Sequence, residues 1–144
     1  MKRALRSVVS VIAFASLLWL VTGSCAQAVC NNGSLKGTYA LSCTGTVGIT
    51  NSSPGVPVAD VGTVTFDGHG KCSGKDTYIV NGVQQGGNFA SSTCTYTVKT
   101  DCTATLVGDP QPGGPHFDLA LFDDGYFSIE TDPGTVVACV KHKQ

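Results

Sequence analysis

The stretch His116-Phe117-Asp118-Leu119-Ala120-Leu121-Phe122-Asp123-Asp124-Gly125-Tyr126-Phe127-Ser128-Ile129-Glu130-Thr131 decides the fold class. Its two halves, 116–122 and 126–130, alternate bulky with polar or small side chains, the period of a half-buried strand. Asp123-Asp124-Gly125 between them carries turn chemistry, with glycine where a three-residue hairpin loop needs the left-handed conformation. Such a loop sets Leu121 opposite Phe127, Leu119 opposite Ile129 and Phe117 opposite Thr131, which gathers the bulky residues on one face. A two-residue turn at Asp124-Gly125 would set Leu121 opposite Ser128 instead. Burial fixes register, so the three-residue loop is expected.

The same grammar extends outward through the chain. Strands are expected over 37–46, 58–67, 71–80, 83–90, 93–99, 102–107, 116–122 with 126–130, and 135–141; 83–99 reads as one bent strand or two, with a bulge at Gly86-Gly87. Asn81-Gly82 is the strongest hairpin signal, because a type I′ turn needs positive φ at both central residues. A three-residue loop at Gly68-His69-Gly70 pairs Phe66 with Cys72, and one at Lys99-Thr100-Asp101 pairs Tyr96 with Ala104 and Cys94 with Leu106. Stretches 47–57 and 108–115 read as long surface loops. Residues 29–144 carry 15 Thr and 13 Val but a single Glu, Glu130, and no helix is expected beyond residue 33. Hairpin-linked strands without a covering helix favour one antiparallel up-and-down barrel of about eight strands, since closure removes exposed edges; a two-sheet sandwich is the alternative.

The first 28 residues are of a different kind. Lys2, Arg3 and Arg6 precede an apolar run over 8–21, and Ala26-Gln27-Ala28 supplies the small residues of a cleavage site. That is the pattern of a secretory signal peptide, too short in its apolar part for a transmembrane anchor. A barrel domain over 29–144 would remain, with no transmembrane helix. Thr22-Gly23-Ser24-Cys25 offers a second cut, as it resembles a lipobox whose cysteine becomes lipidated, although Thr stands where Leu is usual. The intact mass of the mature chain separates the two cuts.

Cleavage changes the composition. The whole chain has 144 residues, nine basic and ten acidic side chains and seven cysteines. Loss of three basic residues leaves a clearly acidic domain, which excludes a nucleic-acid footprint built on excess Lys and Arg. Cys30, Cys43, Cys72, Cys94, Cys102 and Cys139 remain by either route. Six cysteines in an exported chain read as three disulfides, and no close Cys-x-x-Cys pair suggests zinc. Fifteen pairings are possible; strands joined through their inner faces suggest Cys72–Cys94, Cys43–Cys139 (first strand to last, as closure requires) and Cys30–Cys102.

Catalytic motifs are not found: there is no nucleophile elbow, H-E-x-x-H, phosphate loop or dinucleotide fingerprint, and no cofactor is implied. His69 lies between turn glycines and His142 in the tail, both expected in solvent, while His116 opens a strand after a proline-rich loop. Half the acids, Asp118, Asp123, Asp124, Glu130 and Asp132, fall in one short stretch. In the expected register Asp118 faces Glu130, a like-charge pair that a Ca²⁺ ion would relieve. Tyr39, Phe66, Tyr78, Tyr96 and Phe117 could line a ligand cavity, as eight-stranded barrels either pack their interior or hold one small molecule. Asn32-Gly33-Ser34 and Asn51-Ser52-Ser53 match glycosylation acceptors, relevant only in a eukaryotic secretory pathway.

Four segments occur in an order that is itself informative: Leu35-Lys36-Gly37-Thr38-Tyr39, Phe66-Asp67-Gly68-His69-Gly70, Tyr96-Thr97-Val98-Lys99-Thr100-Asp101-Cys102-Thr103 and Thr131-Asp132-Pro133-Gly134-Thr135-Val136. Together they resemble small exported bacterial proteins of unknown function with a lipocalin-like β-barrel, over most of residues 30–144. Cys43, Cys72, Cys94 and Cys139 are extra to the usual pattern. The resemblance implies fold and export, and brings no catalytic residues. The sequence therefore reads as a secreted or periplasmic, disulfide-reinforced barrel, a non-enzymatic binding or structural protein of the envelope or extracellular space. It is expected to take a small apolar ligand or an envelope or extracellular partner. A small barrel isomerase or cyclase acting on an apolar substrate is one alternative, and a secreted interaction protein another.

Overall fold

A computed structural model describes residues 29–109 and 113–144. The signal-peptide and Cys25 expectations therefore lie outside the described residues, as do Pro110, Gln111 and Pro112 of the proline-rich loop. A 3-10 turn (Asn32–Leu35) precedes eight strands: β1 (Gly37–Thr50), β2 (Ser53–Phe66), β3 (Lys71–Val80), β4 (Val83–Val98), β5 (Thr103–Gly108), β6 (His116–Phe122), β7 (Gly125–Glu130) and β8 (Val136–Lys143). Each pairs antiparallel with the next, and β8 returns to β1, so the sheet is one closed up-and-down barrel. The sandwich alternative falls with that closure.

The wall is uneven. Strands β1, β2 and β4 run 14, 14 and 16 residues, whereas β5, β6 and β7 have 6, 7 and 6. Much of the extra length is where 47–57 was expected as a loop. Instead Val47↔Val56, Ile49↔Pro54 and Thr50↔Ser53 continue the β1–β2 ladder to a two-residue turn at Asn51-Ser52. Pairing of β2 with β3 begins only at Val58, so Pro54 sits where β2 has a free edge. Pro57 meets the end of β3 through its carbonyl, which accepts from Asn81 N–H, so neither proline needs an N–H on that side. The Asn81-Gly82 turn has φ of 49° and 78°, as type I′ requires. Strand β4 is continuous, and its register with β3 slips between Asp76 and Tyr78, opposite the expected Gly86-Gly87 bulge.

Two hairpin registers differ from expectation. Between β6 and β7, Phe122 pairs with Gly125, Leu121 with Tyr126 and Leu119 with Ser128, around a turn of Asp123-Asp124. Tyr126 and Ser128 therefore face inward, and Phe127 and Ile129 stand outside, 59% and 49% exposed. Gly125 is needed for a close approach, not for its φ: a Cβ there would lie 2.0 Å from the Lys141 carbonyl oxygen. Between β4 and β5, Tyr96 pairs with Leu106 and Val98 with Ala104, two residues from the expected match. That slip preserves the faces, and the loop becomes Thr100-Asp101-Cys102 with Cys102 at φ 64°.

One end of the barrel is solid. Leu35 in the 3-10 turn is buried against Tyr39, Phe66, Tyr96 and Tyr126. Asn32 holds the turn there, its backbone carbonyl accepting from the Tyr96 hydroxyl (3.1 Å) and its side-chain oxygen from Val98 N–H (2.8 Å). The rings meet edge to face, Phe66 with Tyr96 at 4.9 Å and Tyr39 with Tyr126 at 5.4 Å, an arrangement favoured by aromatic quadrupoles. Three disulfides reinforce this frame: Cys30–Cys102 ties the N-terminal segment to the β4–β5 turn, Cys72–Cys94 spans β3 and β4, and Cys43–Cys139 spans the closing seam.

Three strand glycines allow close approach of neighbouring strands. A Cβ on Gly45 would meet the Val136 carbonyl oxygen at 2.0 Å, and one on Gly62 the Lys75 carbonyl oxygen at 2.2 Å and Asp76 Cα at 2.7 Å. Gly125 does the same at the β7–β8 contact. We expect Gly62→Ala to push β2 from β3 and cost about 1–3 kcal/mol in urea unfolding, as overpacking does. An unchanged midpoint would show that the strands yield freely there.

Candidate functional site: the barrel interior

Beyond the aromatic cluster the barrel holds a cavity of about 360 Å³. Its apolar wall includes Leu41, Val64, Leu106, Phe117, Leu119 and Val137, and Asp109 and Pro115, which are exposed, also line it and bring it to solvent. The polar part is unusual for a largely apolar interior. Asp60 from β2, Asp76 and Tyr78 from β3, Ser128 and Glu130 from β7 and Lys141 from β8 all line the same space.

Strand parity places them. Asp60 follows Val58 and precedes Val64 on the inner face of β2, Asp76 continues Cys72 and Gly74, and Lys141 continues Val137 and Cys139. Lys141 is 7% exposed, donates to Ser128 Oγ at 2.7 Å, and lies 4.9 Å from the centre of the Tyr126 ring. Among the described residues the only ion pair within 4.0 Å is His116–Asp132, so Lys141 has no carboxylate directly on it. Two interior polar atoms have no hydrogen-bond partner: Asp60 Oδ1 and the Tyr126 hydroxyl, on a residue that is fully buried. Orphaned groups of this kind are costly and rare.

The electrostatics follow from burial. Asp60 is pushed up to about 6, first by desolvation and then by the neighbouring Asp76 carboxylate, with Lys141 opposing. Burial also raises Asp76, and burial followed by Asp132 raises Glu130. Lys141 is pushed down to about 8 by desolvation, with Asp60 opposing. Desolvation raises the Tyr126 and Tyr78 hydroxyls as well, and Glu130 then Asp60 add to the effect on Tyr78.

These shifts set a pH dependence. Asp60 moves from 3.8 to about 6, so the folded chain holds that proton more tightly and stability falls as pH rises from about 4 to about 6. Asp76 and Glu130 act in the same sense. Asp67, Asp101 and Asp132 are lowered by hydrogen bonds and act in the opposite sense, but below that window. Lys141 moves from 10.5 to about 8, binds its proton less tightly when folded, and makes stability rise between those values. Urea midpoints should decline through the acid window in the wild type and more shallowly in Asp60→Asn. A flat wild-type profile would contradict the burial of these carboxyls.

Several residues singled out from the sequence lie elsewhere. Tyr78 and Phe117 line the cavity, whereas Tyr39, Phe66 and Tyr96 belong to the packed end and do not. The Asp118–Glu130 pairing does not form: Asp118 pairs with Ile129 and points outward, and Glu130 pairs with Phe117 and lines the cavity. The like-charge contact that would have called for Ca²⁺ is therefore missing, a consequence of the one-residue register change. His116 instead engages Asp132, its N–H donating to Oδ2 and its Nδ1 lying 2.8 Å from Oδ1, at the exposed strand end. Asp60, Asp76, Tyr126, Ser128 and Lys141 were not anticipated; counting in twos from Val58, Cys72 and Cys139 would have placed Asp60, Asp76 and Lys141.

Among the described residues no helix is long and apolar enough to cross a membrane, and no group of three or more His, Cys, Asp or Glu is placed to hold a metal ion. Three intramolecular disulfides are the chemistry of an oxidising compartment. Compared with family models, curated proteins and solved structures, the chain matches none.

Proposed function

We propose that this is an exported binding protein of the periplasm or extracellular space, which holds a small, largely apolar molecule inside its barrel. The carrying observation is the cavity of about 360 Å³ inside the barrel, beyond its packed aromatic end. Eight-stranded barrels have room for one small ligand, and pockets of this kind combine apolar walls with a few converging polar groups. The disulfides and the resemblance to small exported proteins with lipocalin-like barrels support the location. They also suit a scaffold that must keep its shape when empty.

Titration with straight-chain alcohols from butanol to octanol tests the reading, because a flexible series tolerates the unknown shape of the natural ligand. Saturable heat release or a concentration-dependent rise in melting temperature is expected for the members that fit. No response along the series would contradict a binding cavity.

A second reading, a barrel isomerase or cyclase, draws on one specific observation. Asp60 near 6 and Lys141 near 8 are acid–base groups tuned toward neutral pH within an apolar site. Turnover of a bound apolar compound, lost in Asp60→Asn, would favour it.

A further inference from the structure

The cavity carries an imbalance of charge that narrows the ligand class. Asp60, Asp76 and Glu130 stand in its wall and Asp109 at its rim, against the single ammonium of Lys141. That ammonium is already engaged by Ser128 Oγ at 2.7 Å. Asp60 pairs with Tyr78 across β2 and β3, and Asp76 is the next inward residue on β3. The two residues are thus diagonal neighbours on one face, about 7–8 Å apart at Cα.

Backbone hydrogen bonds, from Val61 to Asp60 and within Asp76, satisfy the two carboxylates only in part. Asp60 Oδ1 is buried without a partner, and the hydroxyl of the fully buried Tyr126 is a second unmatched polar atom on the lining. Burying like-charged carboxylates beside apolar side chains is strongly unfavourable unless a countercharge arrives. The remaining wall is mostly apolar, with Leu41, Val64, Leu106 and Leu119, and has hydroxyls at Ser92 and Thr93 but no further charge.

We propose that the cavity takes a small organic ammonium, a primary amine on an apolar body, with its nitrogen at Asp60 and Asp76 and its body against the Leu41, Val64 and Leu106 wall. This rests on the binding reading above and specifies its ligand class. An ammonium supplies three donors and a positive charge where the chain has an orphaned acceptor and an excess of negative charge. A neutral alcohol of the same length fills the same apolar volume without that gain. A carboxylate adds to the repulsion, since Lys141 is outnumbered.

The groups facing Asp60 are Asp76 and Tyr78 from β3, Tyr126 and Glu130 from β7, and Lys141 from β8, while Cys43 of β1 is held in a disulfide. Acidification protonates the carboxyls of this set and leaves Lys141 and an alkylamine charged, so it weakens amine binding.

The test compares n-alkylamines, n-alkanols and n-alkanoates from four to eight carbons on the full mature chain with its disulfides intact, by calorimetry at about pH 7.5 and about pH 5. The amine of the best-fitting length is expected to bind at least about tenfold more tightly than its alcohol at the higher pH, with the alkanoate weakest. That margin should shrink at the lower pH, and in Asp60→Asn and Asp76→Asn at either pH. The two variants and the pH series are independent, so failure of one variant to fold leaves the others decisive. Alcohols that bind as tightly as amines would overturn the ammonium inference and leave the binding cavity standing. Alkanoates that bind tightest would overturn it in favour of Lys141 as anchor. No binding by any series would overturn both.

Discussion

Replacing Cys43 and Cys139 together with alanine should lower the unfolding free energy by about 4–5 kcal/mol, the largest loss expected from any single cross-link here. The bond joins residues 96 apart in sequence, against 72 for Cys30–Cys102 and 22 for Cys72–Cys94. A longer closed loop removes more freedom from the unfolded chain. Cys43 and Cys139 also face each other in the β1–β8 ladder, the one seam that turns a meander into a ring. Their loss leaves that seam to backbone hydrogen bonds between the two ends of the chain. Guanidinium unfolding of the variant beside one lacking Cys72 and Cys94 checks the order, since the shorter loop should cost about 3 kcal/mol. A smaller loss at the seam than at β3–β4 would show that closure does not depend on the cross-link.

Tyr126→Ala should cost nearly as much, about 3–5 kcal/mol, because it empties a large site that the surrounding barrel cannot fully close. Tyr126 is wholly buried, its ring meeting Tyr39 at 5.4 Å and Phe66 at 5.7 Å and lying under the Lys141 ammonium. Tyr126→Phe separates ring from hydroxyl. The hydroxyl is buried without a partner, so its removal should leave stability unchanged or raise it. Thermal unfolding of the two variants makes the comparison; a Phe variant as unstable as the Ala variant would mean that the hydroxyl, not the ring, holds the site.

The contrast between Tyr126 and Phe127 also shows what the sequence could convey. Turn chemistry was legible: Asn81-Gly82 and Gly68-His69-Gly70 set the registers found at Val80↔Val83 and Phe66↔Cys72. Cysteines at inward positions of neighbouring strands indicated Cys72–Cys94 and Cys43–Cys139, while the expected Cys30–Cys102 pair forms off the strands, between the N-terminal segment and the β4–β5 turn. The β6–β7 register departs from the expected one because bulk and burial part company in this hairpin. Phe127 packs outside on Phe122 at 4.9 Å, while Ser128 and Glu130 take the inner face. An interior containing Lys141 and three carboxylates does not obey the rule that apolar side chains mark the inside. The same assumption hid the site, since Asp60, Asp76 and Lys141 read as solvent-facing charge unless parity is followed strictly. Nor could the sequence show that 47–57 continues a ladder, because its two prolines are acceptable only on an edge that appears once β3 is placed.

The barrel interior is the proposed binding place of a small molecule. Methyl-selective NMR of the disulfide-intact protein during titration with an n-alkylamine tests that most directly. The prediction is that methyl resonances of Leu41, Val64, Leu106, Leu119 and Val137 shift saturably together, while those of the outward Val61, Ile79, Ile129 and Val136 stay in place. Shifts confined to the outward set, with the interior methyls unmoved, would contradict it.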